Sequence, residues 1–268
     1  MKVLDIYSKD DLDLITYNGE LICDLMDNFF SKYPIEYRKN YDINIETLEM
    51  FRVDEMVDSF DNAQYVPSSN VLTFKSFAAL PHEFMHMASA DRINRCFAFC
   101  RDGEYSLYEN GLVEGMTEYL SCVLKNGEPD TYFFEYFVVS MLDKINGIFK
   151  PFFLPSYNEF LKLFPNKRDI ISLMYSLDFY HNAINTIDDN TSDYDINRIS
   201  ESVKNVIDSL IDIEFSIDKN IKDRRIYGDK FMDLMSNSDL ESILLDVCPE
   251  YKDYAYHEIK KKLFRRIR

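Results

Sequence analysis

The sequence predicts an α+β protein that is predominantly helical, with a small sheet beside one helix and a helical C-terminal part. Three observations predict it. Seven glycines and eight prolines in 268 residues are too few for a turn-rich sandwich. Leu, Ile, Met and Phe recur at helical spacing through most of the chain. One short β-like run, VLTF at 71–74, stands directly ahead of the segment LPHEFMHMAS.

In chain order, Leu12, Ile15, Leu21, Ile22, Leu25, Met26, Phe29 and Phe30 recur at helical spacing, and Pro34 closes that helix. A second helix is expected from about Asn44, carrying Leu48, Phe51, Met56, Val57 and Phe60. The text then changes to a turn and the strand at 71–74. The next helix is expected over 77–90. Residues 92–111 are mixed in pattern, with Asp102-Gly103 and Asn110-Gly111 as turn signals in a loop or irregular hairpin. A helix opens near Gly111 and runs to about Leu124. Asp130 is expected to cap a helix carrying Phe133, Phe134, Phe137, Val138, Met141, Leu142 and Ile145. Ser156 and Glu159 form a capping box ahead of Phe160, Leu161 and Phe164. Further helices are expected over 169–187, 196–215 and 238–268, with some structure near 231–235. TIDDNTSDYD, at 186–195, reads as the linker. There is no internal repeat. One unit over 1–268 is expected, or a core over 1–150 followed by a helical subdomain over 151–268.

Charge bounds the partners. The net charge is −17, and the six basic residues at 260–268 leave −23 on the preceding 259 residues. Such a body repels nucleic acid and anionic membrane. The basic end suits an acidic partner surface, or simply the dipole of a solvated helix end. No apolar run approaches the 18 or so residues of a membrane span. Acidic residues interrupt MKVLDIYSKDDLDLITYNGE before an apolar signal core forms, and five cysteines make no disulfide framework. A cytoplasmic location is expected, and leaderless export is compatible with the same features.

The chemistry centres on HEFMH. At about 100° per residue, Phe77, Leu80, Phe84, Met85, Met87 and Ala88 gather on one side of the helix. His82 and His86 share another direction, and Glu83 falls beside them. Two imidazoles on successive turns can grip one ion. A tetrahedral zinc would need a third protein ligand and would keep its fourth position for water. Glu83 then serves as general base, which is the HExxH arrangement of zinc metalloproteases. The plainer account is an amphipathic helix whose rings bond backbone carbonyls. With four histidines in the chain, chance rarely sets two at this spacing with Glu in that slot.

A third ligand can come from the helix at 111–124. Leu112, Val113, Met116, Tyr119, Leu120, Val123 and Leu124 form its apolar side, and Glu114 and Glu118 lie nearly opposite, one turn apart. Alone they read as a solvated face. Beside a site short of one ligand, either carboxylate could complete a set of two His and one Glu, and spacing does not choose between them.

HEFMH followed by GLVEGMTEYL resembles the gluzincin metallopeptidases, whose downstream helix carries NExxx(D/E). The resemblance covers about residues 70–124. It implies a zincin-like core, a Zn2+ cofactor and a peptide or protein substrate. His82 and His86 match the paired imidazoles, Glu83 the general base and Glu114 the third ligand. Glu118 matches the acid that braces a ligand histidine from behind. Val113 stands where the family usually has Asn. The resemblance also implies an edge strand upstream that pairs with extended substrate, which would be VLTF. It further implies a Tyr or His beyond the third ligand that stabilises the oxyanion, for which Tyr175, Tyr180 and His181 in YSLDFYHNAI are the candidates.

Cys96 and Cys100 are loosely spaced for a metal pair, and the FAF between them reads as packing. Cys23, Cys122 and Cys248 read as core. His257, in YAYHEIKKKL, helps a terminal helix pack or stays exposed. No glycine-rich phosphate loop or Ser-His-Asp pattern occurs. The expected function is zinc-dependent peptide hydrolysis. The alternatives are a helical binding protein with a structural or vestigial zinc site, and a metal-dependent hydrolase of a non-peptide amide.

Overall fold

A computed structural model describes residues 2–3, 9–53, 62–100, 111–184 and 192–217. The chain divides into two compact units. One comprises 1–107, 117–128 and 149–157, and the other 108–116, 129–148 and 158–268.

In the first unit, α1 (Lys9–Phe30) buries Ile22, Met26, Phe29 and Phe30 of the stripe expected of it, whereas Leu21 is exposed and Leu25 half-buried. The second helix differs from expectation. α2 spans Lys39–Thr47, and the chain then becomes the strand β2 (Glu49–Arg52). Met50 is buried while its neighbours Glu49 and Phe51 are only partly so, the alternation of a strand. Pairing with the sheet overrides the helical spacing of Leu48 and Phe51. Met56, Val57 and Phe60 lie outside the described residues.

The main sheet has the order β1 (Lys2–Val3), β2, β4 (Val71–Phe74), β3 (Ala63–Val66). β1–β2 and β2–β4 are parallel, and β3–β4 is antiparallel. VLTF therefore forms a strand as expected but does not form the edge, because β4 sits between β2 and β3. The strand outside it is β3, whose AQYV carries fewer strand-favouring residues than the equally short VLTF.

A buried polar chain ties this sheet to the histidine helix. Asn70, in the left-handed region at φ 57°, closes the β3–β4 turn. Its Nδ2 donates to Asn44 O at 2.8 Å and Thr47 Oγ1 at 2.9 Å, and its Oδ1 accepts from the Tyr65 hydroxyl at 2.8 Å. Asn44 Nδ2 donates in turn to the carbonyls of Met87 and Ala90, at 2.9 and 2.8 Å. Both asparagines are almost fully buried, so a missing bond would leave a desolvated polar group unpaired.

The carbonyls of Met87 and Ala90 mark the end of α3 (Leu80–Ala88), the core of the helix expected over 77–90. A single 3-10 turn, Phe77–Ala79, leads into it, started by the Ser76 side chain accepting from Ala78 N–H. Pro81 sits in the first turn of α3, where its missing N–H costs nothing. Beyond α3, β5 (Ala90–Asp91) and β6 (Cys96–Phe97) make a short antiparallel hairpin. α4 (Gly111–Lys125) begins in the second unit and continues into the first. α6 (Phe149–Phe153) adds Phe153 against Phe29 and Phe30, and Phe152 against Phe99.

In the second unit, α5 (Phe133–Asn146), α7 (Tyr157–Lys162), α8 (Lys167–Ile184) and α9 (Asp193–Ile217) pack about Phe134, Val138, Leu142, Leu173, Leu177 and Leu210. Asp130 does not cap α5. The residue at that position is Tyr132, left-handed at φ 53°, and its side chain makes no capping bond. The segments expected near 231–235 and over 238–268, with Cys248, His257 and the basic end, lie outside the described residues.

The architecture is α+β and predominantly helical, with two small sheets flanking the histidine helix. No helix among the described residues is long and apolar enough to cross a membrane.

Candidate metal centre

α3 is buried along nearly its whole length, with His82 its one partly exposed residue. His82 Nδ1–H donates to Glu118 Oε2 at 2.9 Å, and the Glu118 side chain is 3% exposed. The other Glu118 oxygen accepts the Cys122 thiol at 3.6 Å, one turn along α4. His86 Nδ1 lies 3.3 Å from Thr117 Oγ1. Both imidazoles are thus held through Nδ1 by α4, and their Nε2 atoms face each other at 3.1 Å. The Glu118 carboxylate can only accept, so the His82 proton is on Nδ1 and its Nε2 presents a lone pair.

The donor set can be tested against zinc. Zn–N bonds of 2.0–2.1 Å in a tetrahedron place two nitrogens about 3.3 Å apart. The observed separation matches this within about 0.2 Å. One ligand atom each from His82, His86 and Glu114 lie within 4.8 Å of one another. That is at most about 1.5 Å wider than ligands around one ion, within reach of a side-chain rotation. Two imidazoles and one carboxylate are the protein donor set of a catalytic zinc site, which keeps its fourth position for water. Val113, the departure from the family pattern, is buried and offers no polar side chain.

Glu83 is 7% exposed, and its Oε2 accepts the main-chain N–H of Tyr65 at 2.7 Å. Register explains why that N–H is available. Lys75 N–H donates to Asn62 O, and β3 pairs Gln64 with Thr73 and Val66 with Val71. Bonds to β4 therefore fall on the even-numbered residues of β3, and the Tyr65 N–H points away from the sheet to meet Glu83.

The three oxyanion candidates on α8 separate clearly. Tyr175 is 57% exposed. Tyr180 is buried edge-on against Phe134. His181 Nδ1 is 2.9 Å from Oε1 of Glu135, which is 1% exposed. Burial opposes the His181 charge, but the Glu135 bond and charge, joined by the charges of Glu114 and Asp178, outweigh it and raise its pKa. This pairing contributes stability in full below the ordinary histidine pKa, and the contribution is lost as pH rises through the raised one. Glu135 and Thr117 were not among the expected residues. The only signal for Glu135 was an acid inside the apolar run FFEYF.

Glycines let α4 meet its neighbours. A Cβ on Gly115 would lie 2.4 Å from the Glu135 carbonyl oxygen and 2.5 Å from its carbon, both main-chain atoms. Helix propensity alone would have Gly115→Ala stabilise by about 1 kcal/mol. Overpacking against backbone costs about 1–3 kcal/mol or more and cannot be relieved by a rotamer change. We expect the clash to win, with Tm lower by about 2–6 °C in thermal melts. Gly127→Ala, whose nearest atom is 3.9 Å away, should be close to neutral.

Cys96 and Cys100, half-buried and not disulfide-bonded, stand outside the cluster. Compared with known proteins, the chain matches no family model, no curated protein and no solved structure.

Proposed function

We propose that the chain is a zinc-dependent peptide hydrolase. The observation that carries this is the facing pair of imidazole Nε2 atoms 3.1 Å apart, each ring held from behind, with the Glu114 carboxylate at hand. His82, His86 and Glu114 would hold the ion. Zinc bound by such a set acidifies a water molecule and polarises a carbonyl oxygen.

The rest of the chemistry belongs to this chain's own residues. Glu83 takes the proton of the attacking water and passes it to the departing amine. Its bond to Tyr65 N–H holds the carboxylate in one place for both transfers. Among the α8 candidates, we assign oxyanion stabilisation to His181, because Glu135 favours its charged, donating form. The strand offered to an extended peptide is β3, whose Ala63 main chain and Tyr65 carbonyl face away from β4, while the Tyr65 N–H is held by Glu83.

Metal removal tests the reading. The purified protein should contain about one zinc per chain and should cleave unstructured peptides. A chelator should abolish cleavage, and added zinc should restore it. Protein that takes up no zinc at saturating concentration would overturn the proposal.

A further inference from the structure

The structure gives Glu118 to His82, and His86, the more buried of the two rings, meets a different side chain of α4. We infer that Thr117 is the positioning residue for His86: its hydroxyl accepts the Nδ1–H and leaves Nε2 free to bind metal. The inference rests on the metal-site reading above.

The geometry supports it in three ways. Thr117 Oγ1 lies 3.3 Å from His86 Nδ1, and Thr117 is fully buried, so water does not compete for the contact. Thr117 immediately precedes Glu118 on α4, so one turn of helix serves both imidazoles, each through Nδ1. The Phe97 ring lies along His86 with centroids 5.7 Å apart, restricting rotation that would break the contact.

The two partners differ chemically, and the difference has a use. Glu118 is acceptor-only and fixes His82 in one tautomer. A hydroxyl both donates and accepts. In protein stripped of metal, the His86 Nε2–H can donate to the lone pair of His82 Nε2 at 3.1 Å while Thr117 O–H donates to His86 Nδ1. With zinc bound, the proton resides on Nδ1 and Thr117 accepts. His86 keeps its hydrogen bond to Thr117 in both forms, and the donor and acceptor exchange.

The experiment compares wild type, Thr117→Val, Thr117→Ala and Thr117→Ser as full-length proteins, with zinc affinity read by competition against a chromophoric chelator. Val keeps the shape and removes the hydroxyl, Ala removes it with less bulk, and Ser restores it. The expected result is zinc binding weaker by about 10–100-fold in the Val and Ala variants and near wild type in Ser. The metal-free Val and Ala proteins should also melt lower, because the buried His86 Nδ1 loses its partner, so the readouts that a purely structural role would not move are the zinc affinity of the folded protein and the ring tautomer. Nitrogen NMR of the His86 ring should show the Nε2–H tautomer without zinc and the Nδ1–H tautomer with it. Wild-type affinity in both Thr117→Val and Thr117→Ala would overturn the inference and leave the metal site standing. A wild type that binds no zinc would overturn both.

Discussion

Glu83→Gln is expected to keep about one zinc per chain and to lower kcat/KM by about 10²–10⁴-fold. The separation of the two effects follows from where Glu83 sits. It is not in the ligand cluster, which is formed by its neighbours along the helix and by Glu114. Its carboxylate is bonded to Tyr65 N–H instead. The glutamine amide oxygen can accept that same N–H, so the substitution preserves the strand-to-helix contact and the packing of a side chain that is 7% exposed. What it removes is the ability to take a proton. Zinc analysis with peptide-cleavage kinetics on one preparation checks both halves. Equal turnover in wild type and variant, with zinc retained, would remove Glu83 from the chemistry and favour a structural ion. Loss of zinc in the variant would mean that the carboxylate is a ligand.

Those parts of the site that lie on single helices were legible in the sequence, because helix geometry converts spacing directly into direction. His82 and His86 one turn apart, Glu83 beside them, and Glu114 with Glu118 one turn apart all follow from the 3.6-residue repeat. The parts that depend on chain segments distant in sequence were not. β2 (EMFR) and β3 (AQYV) are as short as VLTF but carry fewer strand-favouring residues, and the helical spacing of Leu48 and Phe51 competes with β2. VLTF was recognisable as a strand, but its place inside the sheet is set by its two partners and not by its own residues. The contribution of Tyr65 to Glu83 is a main-chain N–H, which any residue but proline could supply, so its identity carries no signal. Glu135 looks like a polar break in FFEYF, and only the arrival of His181, 46 residues later, gives it a role. Thr117 was concealed by ordinariness, being a small polar residue next to a more conspicuous acid. The mistaken cap at Asp130 has a related cause. Propensity favoured the acid, while the chain enters α5 through a left-handed Tyr132 whose ring lies against His181.

Glu114→Ala and Glu118→Ala are expected to part sharply, although the two acids share a helix face. Glu114 offers a carboxylate oxygen in the same cluster as the two imidazoles, whereas Glu118 is already committed to His82 Nδ1 and the Cys122 thiol. Removing Glu114 takes away the only negative charge of the proposed ligand set. Zinc content should fall from about one per chain to near zero after buffer exchange. Removing Glu118 leaves all three ligands but frees the His82 ring to rotate and to change tautomer. Zinc should bind about 10–100-fold more weakly, yet reach full occupancy when supplied in excess. The Glu118 variant should also be the less stable protein in its metal-free form. It leaves the His82 Nδ1 without its acceptor in a site only 13% exposed, at a cost of about 1–3 kcal/mol. Zinc titration followed by elemental analysis, together with melts of the metal-free variants, separates the two roles. If Glu118→Ala abolishes zinc at saturation while Glu114→Ala retains it, the ligand assignment must be reversed. The His82–Glu118 contact would then be one that metal binding breaks.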